Sequence, residues 1–179
     1  MLIISGEYTT GMIRASLTVV PRRLPVLWAK LVILAATVLP VMAIASLVAF
    51  LLGQWLLAST GMEATLSTPG ALRSVLGAAL YVTVAGMIAL AIGALLRTTA
   101  AGISVFVGVF FVIPPLAGLL PQSIGSVGQY LPSNAGSALY GGSRMAQDQL
   151  APWTGFTVLC VYAVILIGVA AWRLRRADA

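Results

Sequence analysis

Apolar residues fill four long stretches of the chain, and short polar segments separate them. About 20 consecutive apolar residues are enough to cross the hydrocarbon core of a bilayer as a helix. The pattern therefore predicts an all-α integral membrane protein, organised as one domain over residues 1–179. We place its four transmembrane helices at about residues 31–57, 74–96, 100–120 and 153–172.

Small residues recur at a spacing of four within the second stretch. Ala85, Ala89 and Gly93 share one face of the predicted helix, and such rows allow two membrane helices to approach closely. Helix packing is the interpretation we favour for this row. The lining of a substrate path is the alternative that the pattern leaves open.

A polar segment at residues 121–152 connects the third and fourth spans and forms a predicted external loop. It is rich in Gly, Ser, Pro, Gln and Asn, which makes it too polar to face lipid, yet it is largely apolar around residues 137–140. A free linker would not carry such an apolar patch. We therefore predict short interfacial or re-entrant helices in this loop.

Composition excludes several functions for the chain. Only 8% of the residues are charged and the mean hydropathy is +1.06, whereas soluble domains carry roughly 25% charged residues. Histidine is absent and the single cysteine is Cys160, so zinc, haem and imidazole-dependent nucleophilic chemistry lack their usual side chains. We expect no catalytic site and no bound cofactor.

Acidic residues are equally scarce, and all of them lie outside the apolar stretches. The four are Glu7, Glu63, Asp148 and Asp178. Proton-driven carriers generally keep a titratable group at membrane depth. Any transport by this chain is therefore expected to draw its energy from another subunit.

Basic residues are distributed unequally between the two sides of the predicted membrane. Eight of the ten fall on one side, and only Arg73 and Arg144 fall on the other, which places both termini in the cytoplasm by the positive-inside rule. Their position at the ends of apolar runs also argues against nucleic-acid binding, despite a net charge of +6. The eight are Arg14, Arg22, Arg23, Lys30, Arg97, Arg173, Arg175 and Arg176.

The segment before the first span has the pattern of an amphipathic helix. At about 100° per residue, Glu7, Thr10, Arg14 and Thr18 form one polar stripe, and Pro21 ends the helix. An interfacial anchor that binds lipid headgroups explains this pattern. A docking element for a cytoplasmic partner explains it as well, and the residues alone leave both interpretations open.

This segment also resembles a known family. The run Gly6-Glu7-Tyr8-Thr9-Thr10-Gly11-Met12-Ile13-Arg14, followed by Val20-Pro21-Arg22-Arg23 and later Lys30, is similar to the first cytoplasmic loop of type-2 ABC transporter permeases. In that family the loop forms a coupling helix on the nucleotide-binding subunit. The resemblance implies a coupling segment at residues 6–26 that contacts an ATPase subunit. Its contact residues would be Glu7, Tyr8, Gly11, Arg14, Arg22 and Arg23.

The resemblance implies a permease subunit of an ATP-driven exporter in a bacterial cytoplasmic membrane. Such a subunit works as a dimer with a second copy or a related permease, while ATP and Mg stay on the ATPase subunit; this sequence has no phosphate-binding loop of its own. The expected cargo is hydrophobic or amphiphilic. Family members have two spans before the coupling segment, so the resemblance also implies a shortened relative or a start inside a longer protein.

Two functions from other classes remain open. The first is a non-transporting membrane scaffold or immunity-type protein that binds partner helices. The second is a membrane-embedded enzyme, for which the polar candidates are Ser133, Asn134, Arg144 and Asp148. These four lie in one loop without a strong base, and Asn134 and Asp148 are more simply explained as turn or cap residues.

Overall fold

The computed structural model describes residues 23–58, 65–96, 98–117, 119, 128–141 and 150–176, with the backbone alone at Arg23. The described part is all-helical, as the sequence predicts. Four of its helices are long and apolar enough to cross a membrane, which indicates a multi-pass membrane protein. They run over Leu24–Leu57, Ala71–Leu96, Thr99–Ala117 and Pro152–Arg176.

Helix α1 spans Arg23–Leu57 and begins earlier than the predicted first span. Pro25 lies in its first turn, where a missing backbone N–H costs nothing, and the helix also continues through Pro40. At 1.5 Å per residue, α1 is about 52 Å long and exceeds the roughly 30 Å of a bilayer core. Its buried residues are confined to the first part of the helix, and the side chains after Leu34 are half-buried or exposed.

Helix α2 spans Ala71–Leu96 and lies at the centre of the bundle, in contact with every other long helix. Gly70 precedes it with a φ of 92°, a left-handed conformation that glycine adopts without strain. Half of its most apolar window is buried, more than in the other three long helices.

Helix α3 spans Thr99–Ala117 and contains one π-helical turn, Gly108–Val112. The turn immediately precedes Pro114 and Pro115, which have no backbone N–H to donate to the carbonyls four residues earlier. Ile113 instead donates its N–H to the carbonyl of Gly108, five residues back. The proline pair therefore explains why the helix widens at this point.

Two more helices complete the described part. A single 3₁₀ turn, Gly128–Tyr130, leads into the short helix α4 at Pro132–Tyr140. Helix α5 then spans Pro152–Arg176. The short helix thus lies within the predicted loop at residues 121–152, and it packs against α2 and α5.

Two apolar clusters fix the relative directions of the long helices. In the first, the beginning of α1 packs against the final turns of α2 and α5, so α1 runs antiparallel to both. Its buried members are Leu27, Leu31, Leu34, Leu90, Ala91, Ala94, Ala170 and Leu174. The second joins the middle of α2 to α3 and α5, through Val84, Ala85, Ile88, Ile92, Phe110, Leu159 and Ala163.

Some hydroxyl groups within the long helices bond to their own backbone. Each donates to a carbonyl three or four residues earlier, so that no partner from water is needed along an apolar surface. Such bonds join Thr37 to Ile33, Ser46 to Ala43, Thr83 to Ala79 and Thr157 to Trp153.

Candidate functional site

The closest helix packing in the described part occurs where α4 meets the first halves of α2 and α5, a region that we call the α4 junction. A Cβ atom placed on Gly77 of α2 would lie 2.8 Å from Leu139 Cγ and 3.1 Å from the Leu139 carbonyl oxygen. A Cβ atom essentially never comes within 3.0 Å of a heavy atom from a residue that is distant in the chain. The backbones of α2 and α4 therefore approach this closely only because residue 77 is glycine.

Two further glycines make the same kind of contact from the other elements. A Cβ on Gly136 of α4 would overlap the ring of Tyr81 and lie 3.2 Å from Leu159 Cδ2. A Cβ on Gly155 of α5 would overlap the carbonyl oxygen of Ala135. All three helices thus contribute a glycine, and the backbone of α4 packs directly against α2 and α5.

A tyrosine pair extends the junction towards the C-terminal end of α4. The rings of Tyr81 and Tyr140 have centroids 5.3 Å apart and are tilted by 49°, an arrangement that aromatic pairs favour. Burial raises the pKa of the Tyr140 hydroxyl above its ordinary value of 10.0. Burial thus favours the neutral form of this hydroxyl, which keeps its proton as a hydrogen-bond donor.

Polar side chains at the start of α4 stabilise the turn that precedes it. The amide of Asn134 donates to the Gly128 carbonyl at 2.8 Å, and Ser137 donates to the Asn134 carbonyl at 2.9 Å. The Oγ atom of Ser133 and the Nε atom of Arg73 are buried without a hydrogen-bond partner. Asn134 therefore holds local structure, and Arg144 and Asp148 of the enzyme hypothesis lie outside the described residues.

Cationic side chains gather at the opposite end of the bundle, which we call the basic end, where α2 and α5 finish. Arg173 donates from one guanidinium nitrogen to the Leu95 carbonyl at 2.6 Å and so satisfies a free carbonyl at the end of α2. The guanidinium carbon of Arg176 lies 4.4 Å from the ring centroid of Trp172, a cation–π contact. Arg175 and Arg176 are both exposed.

The predicted coupling residues fall almost entirely outside the described part. Glu7, Tyr8, Gly11, Arg14 and Arg22 lie in the segment that the structure does not describe. Arg23 is the first residue of α1, so this helix begins within the predicted coupling segment at residues 6–26, at the second residue of its basic pair. The contact of these residues with an ATPase stays a prediction.

The predicted packing row lies on the central helix. Ala85 belongs to the cluster that joins α2 to α3 and α5, Gly93 is buried, and Ala89 is half-buried. The closest approach, however, lies two steps earlier in the same four-residue register, at Gly77. Tyr81 occupies the step between them, and its ring fills the space opposite Gly136.

The residues of the α4 junction are the ones that sequence reasoning missed. Gly77, Tyr81, Gly136 and Gly155 were not singled out, although the spacing of four that marks Ala85, Ala89 and Gly93 continues backwards to Gly77. A row extended through Tyr81 would have pointed to this face of α2. Nothing in the local sequence of α4 or α5 identifies Gly136 and Gly155 as its partners.

Comparison of the chain with protein-family models, with curated proteins and with solved structures gives no match. The function is therefore inferred from the residues and their packing.

Proposed function

We propose that the chain is a permease subunit of an ATP-driven ABC exporter, powered by a separate ATPase subunit. The observation that carries this proposal is the segment with Glu7, Gly11 and Arg14, followed by Arg22 and Arg23, directly before a long apolar helix. That order is the one found in the coupling loop of type-2 permeases. The four apolar helices support the proposal as the membrane part that follows the coupling segment in such a subunit.

The packing of α1 supports a route by which movement of the coupling segment reaches the bundle. Leu27, Leu31 and Leu34 lie in the first turns of α1 and share one buried cluster with the ends of α2 and α5. Because packed interiors resist compression, a displacement of the residues before α1 would shift these helix ends as a unit. Closure of the ATPase subunits would supply that displacement.

Helix α2 connects this cluster with the α4 junction. Its last turns pack on α1, and its first turns meet α4 at Gly77 and Tyr81. A rigid shift of α2 would therefore change how α4 packs at the far end of the bundle. We propose that this motion opens and closes the outer side of the path for a hydrophobic or amphiphilic cargo.

The exposed apolar surface of α1 agrees with a dimeric permease that is surrounded by lipid. Ile44, Trp55 and Leu56 are 64%, 75% and 68% exposed. Such side chains require either acyl chains or a second apolar subunit as neighbours. We propose a second copy, or a related permease, as the partner of this chain.

The proposal is tested by purifying the tagged chain from its native membranes and identifying the proteins bound to it, among which the proposal requires an ABC ATPase. We expect the ATPase to co-purify with the chain and to hydrolyse ATP in reconstituted membranes. The double substitution Glu7→Ala with Arg14→Ala should lower ATPase retention by about thirtyfold or more, because truncation of charged contacts at an interface costs about 2 kcal/mol or more.

The matched control is Arg73→Ala, which removes a cation at the other end of the bundle and should leave retention unchanged. Membrane insertion of every variant is measured in parallel. Equal ATPase retention by the double variant would contradict the coupling role. A chain that binds no ATPase and instead retains other membrane proteins would favour the scaffold.

A further inference from the structure

One exposed face of α5 changes character in a fixed order towards the basic end. Ile165 and Val169 are 55% and 44% exposed, Trp172 is 55% exposed, and Arg176 follows one turn later. The spacings of four, three and four place these residues in one row on the helix surface. At 1.5 Å per residue the row is about 16 Å long. From Ile165 to Arg176, its side chains are first apolar, then aromatic and finally cationic.

This order matches the profile of a single phospholipid. The acyl chain is apolar, the glycerol region is the depth at which tryptophan concentrates, and the phosphate lies outermost. Arg175 lies three residues after Trp172 and is exposed beside Arg176. Two guanidinium groups therefore face outwards at the level where a lipid phosphate would lie.

The remaining cations at this end have different roles. Arg173 is held by the Leu95 carbonyl and caps α2. Lys30 lies in the first turns of α1, next to Leu31, which shares a buried cluster with Leu174 of α5. Because Leu174 is buried on the opposite side of α5 from Trp172 and Arg176, Lys30 lies beside the packed side of α5 and is not part of the row. Arg176 is already oriented by its contact with Trp172, so less conformational freedom is lost when it binds an anion.

We propose that Trp172, Arg175 and Arg176 form a binding site for an anionic phospholipid, with the phosphate between the two arginines and one acyl chain along Ile165 and Val169. Guanidinium groups bind phosphate oxygens through paired N–H donors. In a zwitterionic lipid, the cation of the headgroup competes with the arginines for the phosphate, so an anionic lipid should bind more tightly. The site is independent of the proposed transport function. It requires only the geometry of α5 and a membrane.

The test uses the purified full chain in neutral detergent, titrated with phosphatidylglycerol or phosphatidylcholine that carries brominated acyl chains. Bromine quenches nearby tryptophan fluorescence, and the part of the quenching that Trp172→Phe removes reports this site. We expect saturable quenching by phosphatidylglycerol at concentrations well below those needed for phosphatidylcholine. Arg175→Gln with Arg176→Gln should raise the half-saturating concentration by about thirtyfold.

Two variants separate loss of the site from loss of the fold. Arg175→Lys with Arg176→Lys keeps the charge and should restore part of the affinity, whereas Arg73→Gln removes a cation at the other end and should change nothing. Circular dichroism checks that each variant keeps its helix content. Equal affinity of the wild-type chain for both lipids, or unchanged affinity in the double glutamine variant, would overturn the proposal.

Discussion

Gly136 lies where the backbone of α4 meets the ring of Tyr81, and a side chain at this position would occupy the same space as the ring. The ring also contacts Tyr140, which lies one turn after Gly136 on α4. It can therefore not move away without breaking an aromatic pair. The packing of α4 thus depends on the absence of a single methyl group.

We predict that Gly136→Ala destabilises the folded chain by about 1–3 kcal/mol, the usual cost of inserting a methyl group into a packed interior. Equilibrium unfolding in mixed micelles, followed by circular dichroism, measures the change. The cost should be smaller in a Tyr81→Ala background, since the atoms that clash are then absent.

Gly168→Ala on α5 is the matched control, because nothing lies within 4 Å of a Cβ at that position. Alanine there should be neutral or stabilise the helix by up to about 1 kcal/mol. Similar losses in both variants would show that the effect arises from helix propensity or the membrane surface, and not from the contact with Tyr81.

At the level of elements, the four long helices can be predicted directly from the sequence, whereas the position of α4 against α2 and α5 cannot. A span of about 20 apolar residues determines its own structure, because its backbone groups have no other partners in lipid. The nine residues of α4 have no such constraint. Their position depends on Gly77 and Gly155, which are distant in the sequence and become neighbours only when the bundle forms.

The return of the chain from α3 to α4 can be tested by a disulfide. A Cβ on Gly128 would lie 3.6 Å from the Cβ of Ala117, within the usual range for a disulfide of about 3.5–4.5 Å. We predict that Ala117→Cys with Gly128→Cys forms an intramolecular disulfide under mild oxidation. Cys160→Ser is included in the background so that no other thiol reacts.

The loss of two sites for a maleimide label of high mass measures this bond, and a reductant should restore both sites. The control pair is Gly53→Cys with Gly128→Cys, since a Cβ on Gly53 has nothing within 4 Å. If the control pair forms the bond as readily as the first, or if neither pair does, the arrangement of the two elements is wrong.

For the whole molecule, hydropathy and charge predict how many helices cross the membrane, whereas the proposed function depends on individual residues that a hydropathy profile does not distinguish. Glu7 and Arg14 are informative because charges are scarce in this chain. Gly77 and Gly136 are informative only through their neighbours in space. Sequence reasoning therefore identifies the spans, leaves the role of the N-terminal segment as a prediction, and does not identify the α4 junction.

The orientation of the whole molecule in the membrane depends on both the basic residues and the position of α4. Eight basic residues on one side and two on the other predict that α1 begins, and α2 and α5 end, in the cytoplasm. At about 13 Å, α4 is too short to cross a bilayer core of roughly 30 Å. The chain on either side of α4 should therefore lie on the same, external side.

Reporter fusions measure this directly, with alkaline phosphatase active outside the cytoplasm and GFP fluorescent inside it. We predict phosphatase activity after residues 58, 119 and 141, and fluorescence after residues 97 and 179. Identical reports at 119 and 141 are the decisive observation, because they require α4 to enter and leave on one side. Opposite reports at these two positions would mean that α4 and its flanks cross the membrane, which would place the end of α5 on the other side from the end of α2 and contradict the contact of Arg173 with Leu95.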